Sequence, residues 1–167
     1  MKGSNATRLL AASLLLFALA AYAIEQTSAP RWAFHNFNFG SVGIPENTGV
    51  EILAYQYGDS KVPGTYEEGH NLRWTNVGGR MPVADFLYVK WRVLATGTVY
   101  ENRVNLKRRL PSNMENKTIH FIVDGPKINV YLIINKEGNK PGSPDCPVHL
   151  YFHNKCTRIY PDHWSNF

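Results

Sequence analysis

The stretch FLYVKWRVL, residues 86–94, decides how the rest of the chain is read. Leu87, Val89, Trp91 and Val93 fall on one side of an extended backbone, with Lys90 and Arg92 on the other. Side chains of a strand alternate between faces, so this pattern marks a half-buried β-strand. Further along, residues 118–123 (TIHFIV) and 127–135 (KINVYLIIN) are equally β-rich, and Asp124-Gly125 between them is a turn dipeptide. The pair reads as a hairpin whose second strand turns Ile128, Val130, Leu132 and Ile134 inward. Pro126 has no N–H for a ladder, which places it at an edge or a bulge.

Upstream, residues 50–57 (VEILAYQY) are apolar on both faces, as a central strand would be. Residues 98–106, 32–39 and 148–152 are further strand candidates. The Gly- and Pro-rich stretches 59–71, 78–82, 110–116 and 138–147 read as connections. Helical periodicity, internal repeats and domain boundaries are not evident after the first segment. Short strands punctuated in this way predict a single, mainly β domain, an antiparallel β-sandwich or open barrel.

The chain has 167 residues, 44% of them apolar, 13% aromatic and 19% charged. That composition excludes disorder and suits one domain with a core. Its first residues carry Lys2 and Arg8, then the uncharged run LLAASLLLFALAA (9–21), then Ala21-Tyr22-Ala23 ahead of Ile24. A basic start, an apolar run and an A-x-A site predict a secretory signal peptide over 1–23, cleaved near Ala23. The apolar run is shorter than the roughly 20 residues a spanning helix needs, and no Cys lies beside the cleavage site for lipid attachment. The expectation is an exported domain over 24–167 with no stable membrane anchor. Taking Lys2 and Arg8 from the eighteen basic residues leaves sixteen against thirteen acidic ones, a net of +3. So mild a charge does not point to nucleic acid.

Export also governs the two cysteines, Cys146 and Cys156. In an oxidising compartment an isolated pair ten positions apart is most simply a disulfide. Closing so short a loop stabilises by roughly 2–3 kcal/mol on the chain-entropy view.

Catalytic motifs are absent from the sequence: no G-x-S-x-G elbow, H-E-x-x-H pair, P-loop or G-x-G-x-x-G occurs. His149 and His153 have helical metal-ligand spacing, but their segment reads as a strand, which would separate the imidazoles by about 13 Å. One ion cannot bridge that gap at Zn–N distances of about 2 Å. His153, Lys155 and Asp162 approximate an H-x-K-x4-D pattern, with the Asp two positions late and Pro161 interrupting. His35, His70, His120 and His163 complete a scattered set. No metal, no cofactor and no enzymatic activity are expected. Asn116-Lys117-Thr118 matches a glycosylation acceptor of little specificity. Arg103 with Lys107, Arg108 and Arg109 is the one basic cluster, suited to a phosphate, a lipid headgroup or simply solvent.

The distinctive chemistry is polar and aromatic. Residues 59–74 (DSKVPGTYEEGHNLRW) carry Asp59, Tyr66, Glu67, Glu68, His70, Arg73 and Trp74. The C-terminal YPDHWSNF (160–167) adds Trp164 and Phe167. Tyr, Trp and Arg carry most interface energy, so an exported chain without a catalytic constellation leans towards binding. The seven residues of 59–74 are the candidate partner-binding set.

From Val50 to Val130, the order VEILAYQY, Gly78-Gly79, YVKWRV around Trp91, TIHFIVDG and KINVYLII resembles a family of small exported bacterial proteins of uncharacterised domain. Members of that family are immunity partners of type VI secretion lipase effectors. The resemblance implies a periplasmic protein that binds and neutralises a cognate phospholipase D-type effector. It would do so by covering the active-site mouth or holding the enzyme inactive. It further implies an acidic plug, Glu67 and Glu68 flanked by Tyr66 and Trp74, aimed at a site that presents His and Lys to phosphate. Lys107 to Arg109 is the rival contact, suited to an acidic patch. The alternative from the residues alone is an envelope or extracellular module binding glycan, lipid or a structural protein through Trp32, Trp74 and Trp164. A small secreted hydrolase assembled from dispersed His and Asp residues is the remaining possibility.

Overall fold

The computed structural model describes residues 30–40, 49–135 and 154–161. The segment 1–23, Cys146, the strand expected over 148–152, His149, His153, His163, Trp164 and Phe167 lie outside the described residues. The chain divides into the units Met1–Arg31 and Trp32–Phe167, and the strands below belong to the second.

These strands are β1 (Trp32–Phe39), β2 (Val50–Tyr57), β3 (Tyr66–Leu72), β4 (Thr75–Pro82), β5 (Phe86–Val93), β6 (Val99–Asn105), β7 (Lys117–Asp124), β8 (Lys127–Asn135) and β9 (Asn154–Tyr160). One sheet has the order β4-β1-β7-β8-β9 and the other β3-β2-β5-β6. The two pack as a sandwich-like single domain with no closed barrel, as expected. Pairing is antiparallel throughout except between β1 and β7, which run parallel. A parallel neighbour needs a long return path, and the chain from β2 to β6, which lies in the opposite sheet except where β4 returns to pair with β1, supplies it.

Leu87, Val89 and Trp91 of β5 are buried as their alternation predicts. Across the sandwich, the odd-numbered residues of β1 face them. Phe37 stacks on Tyr57 at 4.8 Å and Phe39 on Phe121 at 4.7 Å. His35 shares that inner face: its Nε2 lies 3.0 Å from the Tyr57 hydroxyl and its Nδ1 3.1 Å from the Ala33 carbonyl. It is a core histidine. His120 faces away from the core and bonds Asn38 at 2.6 Å.

β2 is interior, but its two-sided apolar pattern has a more specific cause. Ile52 lies opposite Trp91 while Ala54 lies opposite Lys90, so Leu53 is an extra residue. This bulge turns Ile52, Tyr55 and Tyr57 towards the same core although the first two are three positions apart. Trp91, centred on the neighbouring strand, donates its Nε1–H to the Gly125 carbonyl at 2.8 Å. That bond ties the middle of one sheet to the β7–β8 turn of the other.

Several expectations need correction. Residues 66–72 and 75–82 are edge strands of the two sheets, not connections. Their polar and Gly-rich sequences conceal this because an edge strand needs neither a continuous apolar face nor a second ladder. The hairpin turn is Gly125-Pro126, since Asp124 already pairs with Lys127. Gly125 takes φ +52°, the first central position of a type II′ turn, and Pro126 sits where its missing N–H has no ladder to interrupt. Ile134 is only half-buried. Ile133, on the opposite face, is buried beside Tyr131 and Cys156 of β9. No free cysteine occurs among the described residues.

Candidate partner-binding edge

The seven candidate residues line one long side of the sandwich. β3 forms its middle, a seven-residue strand about 23 Å long, pairing with β2 on one side only. The second half of the stretch read as a connection is therefore a paired strand, and its side chains divide by pleat. Tyr66 lies opposite Gln56 and Glu68 opposite Ala54, and those rows continue to Tyr88 and Lys90 on β5. They continue again to Arg103 and Glu101 on β6. Tyr66 and Glu68 thus belong to the outer face of the four-stranded sheet, where Ala54 leaves room between Glu68 and Lys90.

Glu67 points the other way, to the rim of the core, where its Oε2 accepts a 3.3 Å bond from the Tyr55 hydroxyl. Burial is the main reason the Tyr55 phenol has a raised pKa, with Thr75 opposing and Glu67 adding to the rise. A phenol whose folded-state pKa lies above the unfolded value of about 10 contributes fully below pH 10 and loses that contribution as the pH climbs beyond it. Unfolding free energy should therefore fall more steeply above pH 10 in the native protein than in Tyr55→Phe, as measured by urea titration at pH 9 and 11. On the outer face Tyr88 is likewise raised, first by burial and then by its 2.9 Å bond to Glu101.

Past Glu68 the strand bulges, because four residues separate Glu68 from Leu72 where β2 spends two. Asn71 takes φ +58° there, a conformation Asn tolerates better than most residues. Its N–H is held at 3.1 Å by Glu51 Oε1. The same carboxylate accepts a 2.8 Å bond from Arg92 and sits 3.6 Å from His70 Nδ1. Glu51 thus anchors the bulge from β2, while the His70 side chain stays 82% exposed. Bulge and charge together protect the edge from pairing with another strand, leaving its side chains as the recognition element.

Arg73 and Trp74 form the crossing from β3 to β4, where the chain passes between sheets. Trp74 is 56% exposed. Gly40 makes the crossing possible: at φ +63°, it lies so close that a Cβ would overlap the Arg73 carbonyl oxygen. Gly40→Ala should cost about 1–2 kcal/mol from backbone handedness alone, and more from that overlap, read as a lowered thermal midpoint. Asp59 lies at the other end, exposed in the turn between β2 and β3.

Sequence reasoning missed Glu51, Tyr88 and Lys90, which complete this face, and the exposed Leu94 and Val99 flanking the β5–β6 hairpin tip. Lys90 and Arg92 were visible as a polar face, but their partners come from strands far off in sequence. Among the described residues no cluster of three or more His, Cys, Asp or Glu could hold a metal ion, and no helix is long and apolar enough to span a membrane. In comparisons with known proteins, no family profile, curated sequence or solved structure matches this chain.

Proposed function

We propose that this protein is an exported binding module, and specifically a periplasmic immunity protein that neutralises a cognate phospholipase D-type effector of a type VI secretion system. The observation that carries the reading is the β3 edge. Tyr66 and Glu68 are presented outward on a strand fixed by Glu51 and the β2 ladder, and Trp74 is exposed at the crossing that follows it. Such preorganisation reduces the ordering cost of association. Glu68 on the outer face supplies negative charge where the effector offers His and Lys to phosphate, with Glu67 on the other side of the strand, at the core rim. Covering the active-site mouth would stop hydrolysis without chemistry by the inhibitor. The resemblance between Val50 and Val130 supplies the identity of the partner class. The signal segment, cleavage near Ala23 and a Cys146–Cys156 bridge belong to the same proposal.

An inhibitor of a lethal enzyme needs nanomolar affinity, about −12 kcal/mol, within reach of about 800 Å² per partner. The test is co-expression in the periplasm with each secreted enzyme that a neighbouring gene encodes. Survival and a stable co-purified complex are expected, and the absence of a complex with every neighbouring secreted enzyme would sink the reading. A second reading, a glycan-binding module, is favoured by Trp32 and Phe34. They are 52% and 56% exposed, two residues apart on β1, with Phe34 opposite Arg80. Glycan binding by the purified protein that disappears in Trp32→Ala would select it.

A further inference from the structure

Away from β3, at the other edge of the same sheet, β6 runs into a tight turn. Leu106 and Lys107 donate their N–H groups to the Asp85 carbonyl, and Arg109 and Leu110 return to the Leu106 carbonyl. Lys107 N–H is also within 3.0 Å of Asn105 Oδ1. Four cations, Arg103, Lys107, Arg108 and Arg109, thus lie at the end of β6 and in this turn, with Asp85 3.8 Å from Lys107. Arg103 is committed to the Phe86 ring, with its guanidinium carbon 3.3 Å from the centroid.

Beside the turn is a groove of about 480 Å³ that Asn105, Arg108, Arg109 and Ile159 line. Its volume is in the range of small-ligand sites. One wall is rigid: Arg109 donates to the Ile159 carbonyl at 2.9 Å and its guanidinium lies 5.4 Å from the Tyr160 ring centre. Arg108 is exposed and makes no hydrogen bond or ion pair with any described residue. A guanidinium offers a planar fork of donors that matches the oxygens of a phosphate. The groove therefore combines a fixed arginine, an adaptable one and the Asn105 amide at one concave place.

We propose that this groove is a binding site for a phosphate group, with Arg108 as its principal ligand and Asn105 and Arg109 forming its walls. It is independent of the β3 edge and does not rest on the effector reading. A soluble phosphate compound and a phospholipid headgroup share this chemistry, and the experiment separates them. In the first arm, the full chain is titrated with inorganic phosphate against chloride at equal ionic strength, by calorimetry and thermal shift. Native protein should bind and gain stability, and Arg108→Glu should bind at least about tenfold more weakly while keeping its melting temperature in chloride. Arg108→Lys, retaining charge but losing the fork, should fall between. In the second arm the protein is sedimented with phosphatidylglycerol vesicles and with phosphatidylcholine vesicles. Phosphate binding with Arg108-dependent capture on phosphatidylglycerol assigns a headgroup, and phosphate binding without capture assigns a soluble compound. No response to phosphate, or binding in both arms unchanged by Arg108→Glu, would overturn the proposal.

Discussion

Trp91→Ala is expected to remove about 3–5 kcal/mol of unfolding free energy, the range for truncating a buried large aromatic. The indole is 1% exposed, stacks on Tyr100 at 5.9 Å and donates to the Gly125 carbonyl at 2.8 Å. The substitution opens a cavity between the sheets and removes a bond joining them. A domain of this size has about 5–15 kcal/mol in total, so a large share of its stability depends on this side chain. Trp91→Phe separates the two effects. It keeps most of the packing but leaves the Gly125 carbonyl without its indole donor, a loss of about 1–3 kcal/mol. Urea titrations of the three proteins would read these differences as shifts in midpoint at constant slope. If Trp91→Phe lost nothing relative to the native protein, the bridging role would be wrong.

On the proposed function, Trp74→Ala is expected to weaken the effector complex about 30- to 1,000-fold, the effect of a hot-spot aromatic contributing about 2–4 kcal/mol. Trp74 is more than half exposed, and alanine keeps the Cβ that rests near Gly40, so the fold should lose little. Glu68→Lys tests the charge in the same interface. It reverses the sign of a group whose outward row already contains Lys90, and should slow association by removing the negative charge the edge offers a cationic partner. Trp32→Ala, on β1 of the other sheet, is the control and should leave effector binding unchanged. Surface plasmon resonance with the purified effector gives both rate constants. Equal losses for Trp32 and Trp74 variants would move the contact away from the β3 edge.

How much of this was legible beforehand differs from strand to strand. β1 and β8 fall on the residues that alternation marks, and β5 and β7 within one or two of them, because inward-facing positions recur every second residue. β3 and β4 escaped. YEEGHNL and TNVGGRMP have no apolar stripe to detect, and their extended form rests on backbone pairing with β2 and β1. The candidate edge was correspondingly half-visible: its Tyr, Glu, His, Arg and Trp stood out as residue types. Their division between outer face, core rim and crossing depends on pleat and register, which a single segment does not contain.

From sequence alone came the β class, the core face of β5, and a local excess of polar-aromatic groups near Trp74, all consequences of periodicity and composition within short windows. Only the tertiary structure decided that β1 and β7 run parallel, that Trp91 reaches Gly125, that Glu51 anchors the bulge of β3 and that Arg108 opens onto a groove beside Ile159. Each of these joins residues from about 20 to more than 80 positions apart. Such partners are chosen by how two sheets close over a shared core, and no local pattern records that choice.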